Sequence, residues 1–236
     1  VQKLMNLMNM ETVHVAWDFL KENGLTALIL KSKHKIQGID DDYDYAEWWN
    51  LTKPSEEELE EQKKKKFDYM PKFSIVIPVY KTPEKFLKEM LDSIVEQTYA
   101  NWELCIADGS PAGESVENVL KKYAEKDARI RYQVLGENRG ISGNTNAALE
   151  MAEGDFIVLA DHDDRLTPNA LFECAKKLNE NENCDVLYSD EDKLDMDGDE
   201  LFDPHFKPDF NPDLLTSVNY ICHLFVVKKE LLDTVG

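Results

Sequence analysis

The chain has 236 residues, of which 42% are hydrophobic, so we expect one main domain with a sizeable core and an accessory segment. Its 47 acidic and 27 basic residues give a formal net charge of −20, which repels nucleic-acid backbones and argues against a nucleic-acid partner. An anionic ligand must instead be met locally, by a metal ion, by helix N-termini or by a few basic side chains.

Residues 1–53 are predicted to form a helical accessory segment of unknown role. Apolar residues at helical spacing occur near its start, namely Val13, Trp17 and Leu20. An acidic, aromatic stretch follows over residues 40–49. Neither part carries a recognisable chemical motif.

Residues 54–72 are predicted to form a charged linker helix. Ser55 and Glu58 have the spacing of a capping box, and the acids that follow Ser55 precede the lysines at 63–66, which suits the helix dipole. A contact of these lysines with an anion or a membrane is the alternative, but the balance of acids and lysines favours a solvated helix.

Residues 73–236 alternate between apolar runs and helical patterns, which predicts an α/β domain with a mostly parallel sheet and helices on both faces. The predicted strands are 74–79, 102–107, 130–135, 156–160, 186–188 and 224–227. The predicted helices begin at Thr82-Pro83, near Val116, at Thr145 and at Thr167-Pro168. The carboxyl ends of parallel strands form the edge where such proteins bind ligands.

Three predicted strands end in polar or turn-forming residues. The first ends at Pro78, Val79 and Tyr80, the second at Asp108, and the fourth at the run Asp161–Asp164. In a parallel sheet these ends converge, so residues far apart in sequence can contact one ligand. Each signal is weak alone, because Asp-Gly-Ser is a common turn and an Asp after a strand often caps the next helix.

The acidic run predicts a divalent cation site. Asp161 and Asp163 are two residues apart in a segment expected to be extended, so their carboxylates point to the same side and can hold Mg²⁺ or Mn²⁺. Asp164 then points away and is expected to cap the helix near Thr167. His162 is interpreted as a spacer, because imidazole prefers softer metals. A cation here can neutralise charge on a departing nucleoside diphosphate.

Two further segments are expected to contact a nucleotide. Asp108 can accept hydrogen bonds from a nucleobase or a ribose, with a plain turn as the alternative. The amide-rich segment Asn138–Asn146 lacks GxGxxG spacing and is interpreted as a flexible loop before a helix. We expect this segment, whose cationic residue is Arg139, to contact the other side of a nucleotide-sugar.

The chain closely resembles the family 2 glycosyltransferases, GT-A (Rossmann-like) enzymes of bacterial surface polysaccharide synthesis, including the rhamnan type. The motifs that carry the resemblance are Phe73–Tyr80, Gln97–Tyr99, Trp102–Ser110, Glu137–Asn146 and the acidic run at Asp161. It implies inverting transfer from a nucleotide-sugar, a UDP- or dTDP-sugar, to a saccharide or lipid-linked saccharide, with Mg²⁺ or Mn²⁺. The implied donor contacts are Pro78, Val79, Tyr80, Asp108, Arg139, Gly140, Asn146 and Asp161, and the implied DxD metal pair is Asp161 and Asp163.

The general base of an inverting transfer is not identified by the motifs. In similar enzymes it is an acid in a segment beginning Gly-Phe or Gly-Tyr, which would follow Gly236. We therefore expect a truncated GT-A domain that binds a nucleoside diphosphate but transfers sugar poorly. Asp190, Glu191 and Asp192 are the alternative bases. The rival function is a non-catalytic module of the same fold that binds a nucleotide-sugar or a partner enzyme.

Two remaining features concern a histidine and the location of the protein. His223 is interpreted as a hydrogen-bonded residue beside a strand, and the alternative is a metal ligand from late in the chain. Cysteines 105, 174, 184 and 222 show no CxxC spacing, and the apolar runs are too short to span a bilayer. We expect a cytoplasmic protein, with peripheral association at the inner face of the membrane left open.

Overall fold

The computed structural model describes residues 45–198 and 200–235. The chain divides into two units between Thr52 and Lys53, and each is described by itself. The described part of the first unit is helix α1 (Tyr45–Thr52), in which the rings of Tyr45 and Trp48 stack with 5.5 Å between their centroids. The predicted helical pattern at 13–20 and the start of the acidic stretch at 40–49 lie outside the described residues.

The second unit alternates strands and helices. The helices are α2 (Glu56–Lys64), α3 (Glu84–Val95), α4 (Glu117–Lys126), α5 (Gly140–Leu149), α6 (Ala170–Glu180), α7 (Pro212–Leu215) and α8 (Lys229–Val235). The strands are β1 (Phe73–Val79), β2 (Trp102–Asp108), β3 (Ile130–Val134), β4 (Phe156–Leu159), β5 (Val186–Tyr188), β6 (Glu191–Leu194), β7 (Leu201–His205) and β8 (Phe225–Lys228).

Six of these strands form one sheet in the order β3-β2-β1-β4-β8-β5, and β6 pairs with β7 as a separate hairpin. Strands β3, β2, β1 and β4 are parallel, whereas β8 is antiparallel to both β4 and β5. The predicted α/β fold with a mostly parallel sheet is confirmed. The carboxyl ends of β1, β2, β4 and β5 and the amino end of β8 therefore lie along one edge, which we call the carboxyl edge.

The core lies on both faces of this sheet, because β1 and β2 are mostly apolar and their successive side chains point to opposite sides. On one face, Ile75 and Ile77 belong to the cluster that contains the apolar stripe of α3. On the other face, Val76 packs in a cluster with Ala147 and Ala148 of α5. The two-sided burial makes β1 and β2 a rigid support for the residues at their carboxyl ends.

The local signals placed most helix starts within two residues. The capping box of α2 is formed: Ser55 N–H donates to Glu58 Oε2 at 2.7 Å, and Glu58 N–H donates to Ser55 Oγ at 3.3 Å. Helices α3 and α6 begin one and two residues after the predicted Thr-Pro starts. No helix within residues 45–198 and 200–235 is long and apolar enough to cross a membrane.

The predicted start of α5 at Thr145 is wrong, because this helix begins at Gly140. Gly140 has φ +75°, a conformation that glycine adopts without strain, and its N–H donates to Asn138 Oδ1 at 2.9 Å. The segment interpreted as a flexible loop is therefore mostly the first turns of α5.

Candidate functional site

The ends of β1 and β2 lie side by side at the carboxyl edge. Val79 and Asp108 are register partners, and Gly109 N–H donates to Val79 O at 2.9 Å. The next residue, Tyr80, is 40% exposed. The structure thus brings together the first two strand ends, as predicted, and leaves an aromatic ring open to solvent beside them.

Asp108 is fully buried and bonded to its own loop. Its Oδ1 accepts from Ser110 N–H at 2.9 Å, and its Oδ2 accepts from Ser115 Oγ at 2.6 Å and from Val116 N–H at 3.2 Å. These bonds favour the turn interpretation, since both oxygens organise the path from β2 into α4. Contact of Asp108 with a nucleobase stays a prediction.

Asn144 organises the neighbouring segment and was missed by the sequence analysis. This residue is only 2% exposed; its Oδ1 accepts from Arg139 N–H at 3.1 Å, and its Nδ2 donates to Asn138 Oδ1 at 3.1 Å. A Cβ added at Gly109 would lie 2.6 Å from Asn144 Nδ2, so the amide packs directly on that glycine. The signal in the sequence was an Asp-Gly turn together with an amide-rich helix start.

The predicted donor contacts in this segment lie around the start of α5. The backbone of Arg139 is held by Asn144, whereas its exposed guanidinium has Nε 3.2 Å from Glu137 Oε1. Gly140 opens the helix, and Asn146 lies on it with an exposed side chain. Arg139 is therefore a cation on a fixed backbone, near the end of β2.

A cluster of two carboxylates and an imidazole lies at the ends of β4 and β8. Ligand atoms of Asp161, Asp164 and His223 are all within 4.8 Å of one another, and His223 Nε2 is 3.2 Å from Asp161 Oδ2. The expected hydrogen-bonded state of His223 is confirmed, and its alternative role as a metal ligand stays a prediction. We call these three residues the acidic cluster.

The expected extended path from Asp161 to Asp163 is wrong, whereas their pairing at a metal ion stays a prediction. The chain turns after Asp161, with Asp164 N–H at 3.4 Å from Asp161 O, and such a turn brings residues i and i+3 together. Asp163 Oδ1 lies instead 3.6 Å from His162 Nδ1. Asp164 does not cap α6, whose N-cap residue is Asn169 without a side-chain hydrogen bond.

The pKa values in the acidic cluster follow from its geometry. The hydrogen bond between His223 and Asp161 lowers the pKa of Asp161 and raises the pKa of His223. Burial raises the pKa of Asp164, and the carboxylates of Asp161 and Asp163 add to that rise. A cation would relieve this crowding of negative charge. Two carboxylates with one imidazole are a donor set suited to Mn²⁺, and less to Mg²⁺, which prefers oxygen alone.

The three alternative bases lie in different surroundings. Asp190 Oδ1 accepts from Lys207 N–H at 2.7 Å, and Asp192 is half-buried in β6. Glu191 Oε2 is 3.1 Å from Lys207 Nζ, and its Oε1 is 3.1 Å from His205 Nδ1. Burial would raise the pKa of Glu191, but the bonds from His205 and Lys207 lower it on balance. Glu191 is therefore a weak base engaged with protein groups.

Comparisons with known proteins identify the family to which the chain is similar. The model of the family described as "Glycosyl transferase family 2" matches residues 74–236. An uncharacterized protein of Sinorhizobium fredii, y4gI, is 42% identical over 166 residues, which cover 70% of this chain and 18% of that protein. The O-antigen biosynthesis protein RfbC of Myxococcus xanthus is 34% identical over 193 residues, which cover 82% of this chain and 15% of that protein. The chain thus spans less than a fifth of the length of each of these two relatives.

Among solved structures, the crystal structure of S. aureus TarS 1–349 in complex with UDP-GlcNAc is similar. Its TM-score is 0.54 at 25% identity, and the match covers 69% of this chain and 47% of that one.

Proposed function

This chain belongs to glycosyl transferase family 2 and has the GT-A fold, and from that membership we propose that it binds a nucleotide-sugar donor for sugar transfer in polysaccharide synthesis. The observation that carries the proposal is the acidic cluster, which lies at the carboxyl edge of the sheet within the matched residues. The name of the O-antigen relative and the UDP-GlcNAc in the TarS structure support a nucleotide-sugar and a surface polysaccharide.

We place the donor along the carboxyl edge. The proposed contacts are Pro78, Val79, Tyr80, Asp108, Arg139, Gly140, Asn146 and Asp161. The exposed ring of Tyr80 suits a nucleobase, because aromatic faces stack on planar rings. Arg139 supplies a charged donor to a phosphate in a chain whose overall charge opposes anions.

A divalent cation, Mn²⁺ or Mg²⁺, is proposed at the acidic cluster. Asp161, Asp164 and His223 would hold it, and Asp163 stays a prediction as the second residue of the DxD pair. When bound, the cation supplies charge neutralisation for the departing nucleoside diphosphate. The residues of the chain would orient the donor. Asp161 follows β4, which pairs with β1, and the last residues of β1 are proposed to line the nucleoside pocket.

Inverting transfer requires a carboxylate that accepts the proton of the acceptor hydroxyl. Among the described acids, Asp190 suits this role better than Glu191, which is paired with Lys207. Tyr188 and Phe225 are register partners, so continuing the β5–β8 register by two residues sets Asp190 opposite His223. The acceptor face is thereby proposed to lie between the ends of β5 and β8.

The test is thermal unfolding with UDP-, dTDP- and GDP-sugars, each with and without Mn²⁺. A ligand at 100 times its Kd adds about 2.7 kcal/mol, which raises the Tm of a domain of this size by about 5 to 10 °C. We expect one nucleotide class to give a Mn²⁺-dependent rise that Asp161→Asn and Asp164→Asn both abolish. Asp185→Asn, an exposed carboxylate paired with Lys228 near the far ends of β5 and β8, is the matched control.

The outcomes separate the assignments. A rise that Asp163→Asn abolishes and Asp164→Asn leaves intact would restore the DxD pair, and the absence of any nucleotide-dependent rise would refute donor binding. Asp190→Asn is expected to keep the rise, and a lower turnover in this variant than in the wild type would assign the base to Asp190. Metal-dependent nucleotide binding without sugar transfer, in both the wild type and Asp190→Asn, would favour the non-catalytic module.

A further inference from the structure

Lys207 is a buried cation close to the acidic cluster. Its side chain is 1% exposed, and Nζ donates to Glu191 Oε2 at 3.1 Å, to Ile221 O at 2.7 Å and to His223 O at 2.5 Å. An ammonium group has three donors, so every one of them is used. Because burying a charge is costly unless it is fully paired, this position ties three separate pieces of the chain together.

Glu191 completes the link to His223. Its Oε2 accepts from His223 N–H at 3.3 Å while also contacting Lys207, and its Oε1 is 3.1 Å from His205 Nδ1. The N–H and the C=O of His223 are therefore both bonded to the Lys207–Glu191 pair. Cys222, directly before His223, has φ +40°, a conformation that a non-glycine residue keeps only where its surroundings hold it.

The imidazole of this fixed residue points into the acidic cluster, with Nε2 at 3.2 Å from Asp161 Oδ2. We propose that the Lys207–Glu191 pair is a brace that positions His223 as a metal ligand, so that two residues outside the acidic cluster set how tightly it binds metal. The inference rests on the proposed function, because the metal is the one proposed for the donor. Lys207 and Glu191 are positioning residues that act through the backbone of His223.

A purely structural role is the alternative, and the chain contains a matched control. Glu103 is also a carboxylate, 5% exposed, bonded to Lys72 Nζ at 2.6 Å and to Arg131 at 2.8 Å. It lies near the start of β2, at the edge of the sheet away from the acidic cluster. Glu103→Gln damages a buried ion pair without touching any group that positions His223.

The test measures Mn²⁺ binding to the full chain by electron paramagnetic resonance, with UDP present and absent. The variants are Lys207→Met, the double variant Lys207→Met/Glu191→Gln, and Glu103→Gln. The double variant removes both charges and so avoids leaving Glu191 alone if the single variant fails to fold. Since residues that orient a metal ligand typically change affinity by about 10- to 100-fold, we expect at least a tenfold loss in the double variant and no change in Glu103→Gln.

A second readout reports His223 directly. A coordinated imidazole gives a ¹⁴N coupling in the electron spin-echo envelope modulation of bound Mn²⁺, and we expect it in the wild type and not in the double variant. Equal Mn²⁺ affinity and equal ¹⁴N coupling in wild type and double variant would overturn the brace while leaving the proposed function intact. Failure of the wild type to bind Mn²⁺ under either condition would overturn the metal site and the brace together.

Discussion

Adding a single methyl group at Gly109 should disturb the part of the site that we propose binds the donor. In Gly109→Ala the new Cβ would lie 2.6 Å from Nδ2, 2.8 Å from Oδ1 and 2.9 Å from Cγ of Asn144. All three distances are shorter than Cβ contacts in folded proteins, and Asn144 is buried, so its amide must leave its place. The hydrogen bond that Asn144 Nδ2 donates to Asn138 and the one that Asn144 Oδ1 accepts from Arg139 N–H are then lost.

The expected cost follows from those contacts. Overpacking a buried site costs about 1 to 3 kcal/mol, and leaving buried hydrogen-bonding groups unpaired costs about 1 to 3 kcal/mol. Because displacing the amide relieves only part of the first penalty and causes the second, we expect the free energy of unfolding to fall by about 2 to 4 kcal/mol. The start of α5 would loosen, so nucleotide affinity should fall while Mn²⁺ affinity stays unchanged.

Urea unfolding of a double-mutant cycle checks the cause. Asn144→Ala alone removes the same hydrogen bonds and should cost about 1 to 3 kcal/mol. With Asn144 shortened, Gly109→Ala meets no amide and should cost less than about 0.5 kcal/mol, so the two changes should couple by more than about 1 kcal/mol. Additive costs, within about 0.5 kcal/mol, would show that Gly109 does not act through Asn144.

Two further predictions concern stability. Glu103→Gln should lower the free energy of unfolding by about 1 to 2 kcal/mol, because it removes a buried carboxylate whose partners Lys72 and Arg131 are each about one third exposed. Burial would raise the pKa of Glu103, but bonds from Lys72 and Ser74 lower it below the ordinary 4.5, so its stabilisation is complete above that pH and is lost as the pH falls through the folded-state pKa. Urea titrations at successive pH values should therefore show a shallower acid loss in Glu103→Gln than in the wild type; equal slopes would contradict this. Ser55→Ala should cost about 1 kcal/mol, seen as faster amide exchange in the first turn of α2, whereas the conservative Ser55→Thr should keep the protection; unchanged exchange in Ser55→Ala would contradict the capping role.

The order of strands and helices in the second unit could be predicted because local pattern decides it. Runs such as Phe73–Val79 are apolar except for Ser74, and a strand buried on both faces accommodates them. The start of α5 could not be predicted in the same way. It depends on Asn138 and Asn144, whose side chains bond to each other and to the backbone between them, and on the contact with Gly109 far earlier in the chain. Composition alone makes such a segment look like a loop.

The acidic cluster depends on one strand that runs against the others. Alternating strands and helices predict parallel pairing, which would put the residues before β8 at the opposite edge of the sheet, away from Asp161. In the structure β8 is antiparallel to β4, with Leu159 opposite Phe225. Two further residues along β4 and two back from β8 reach Asp161 and His223, which is why their side chains meet at 3.2 Å. The nearby acid Asp163 was visible in the sequence, but the imidazole came from a long-range strand pairing that no local pattern encodes.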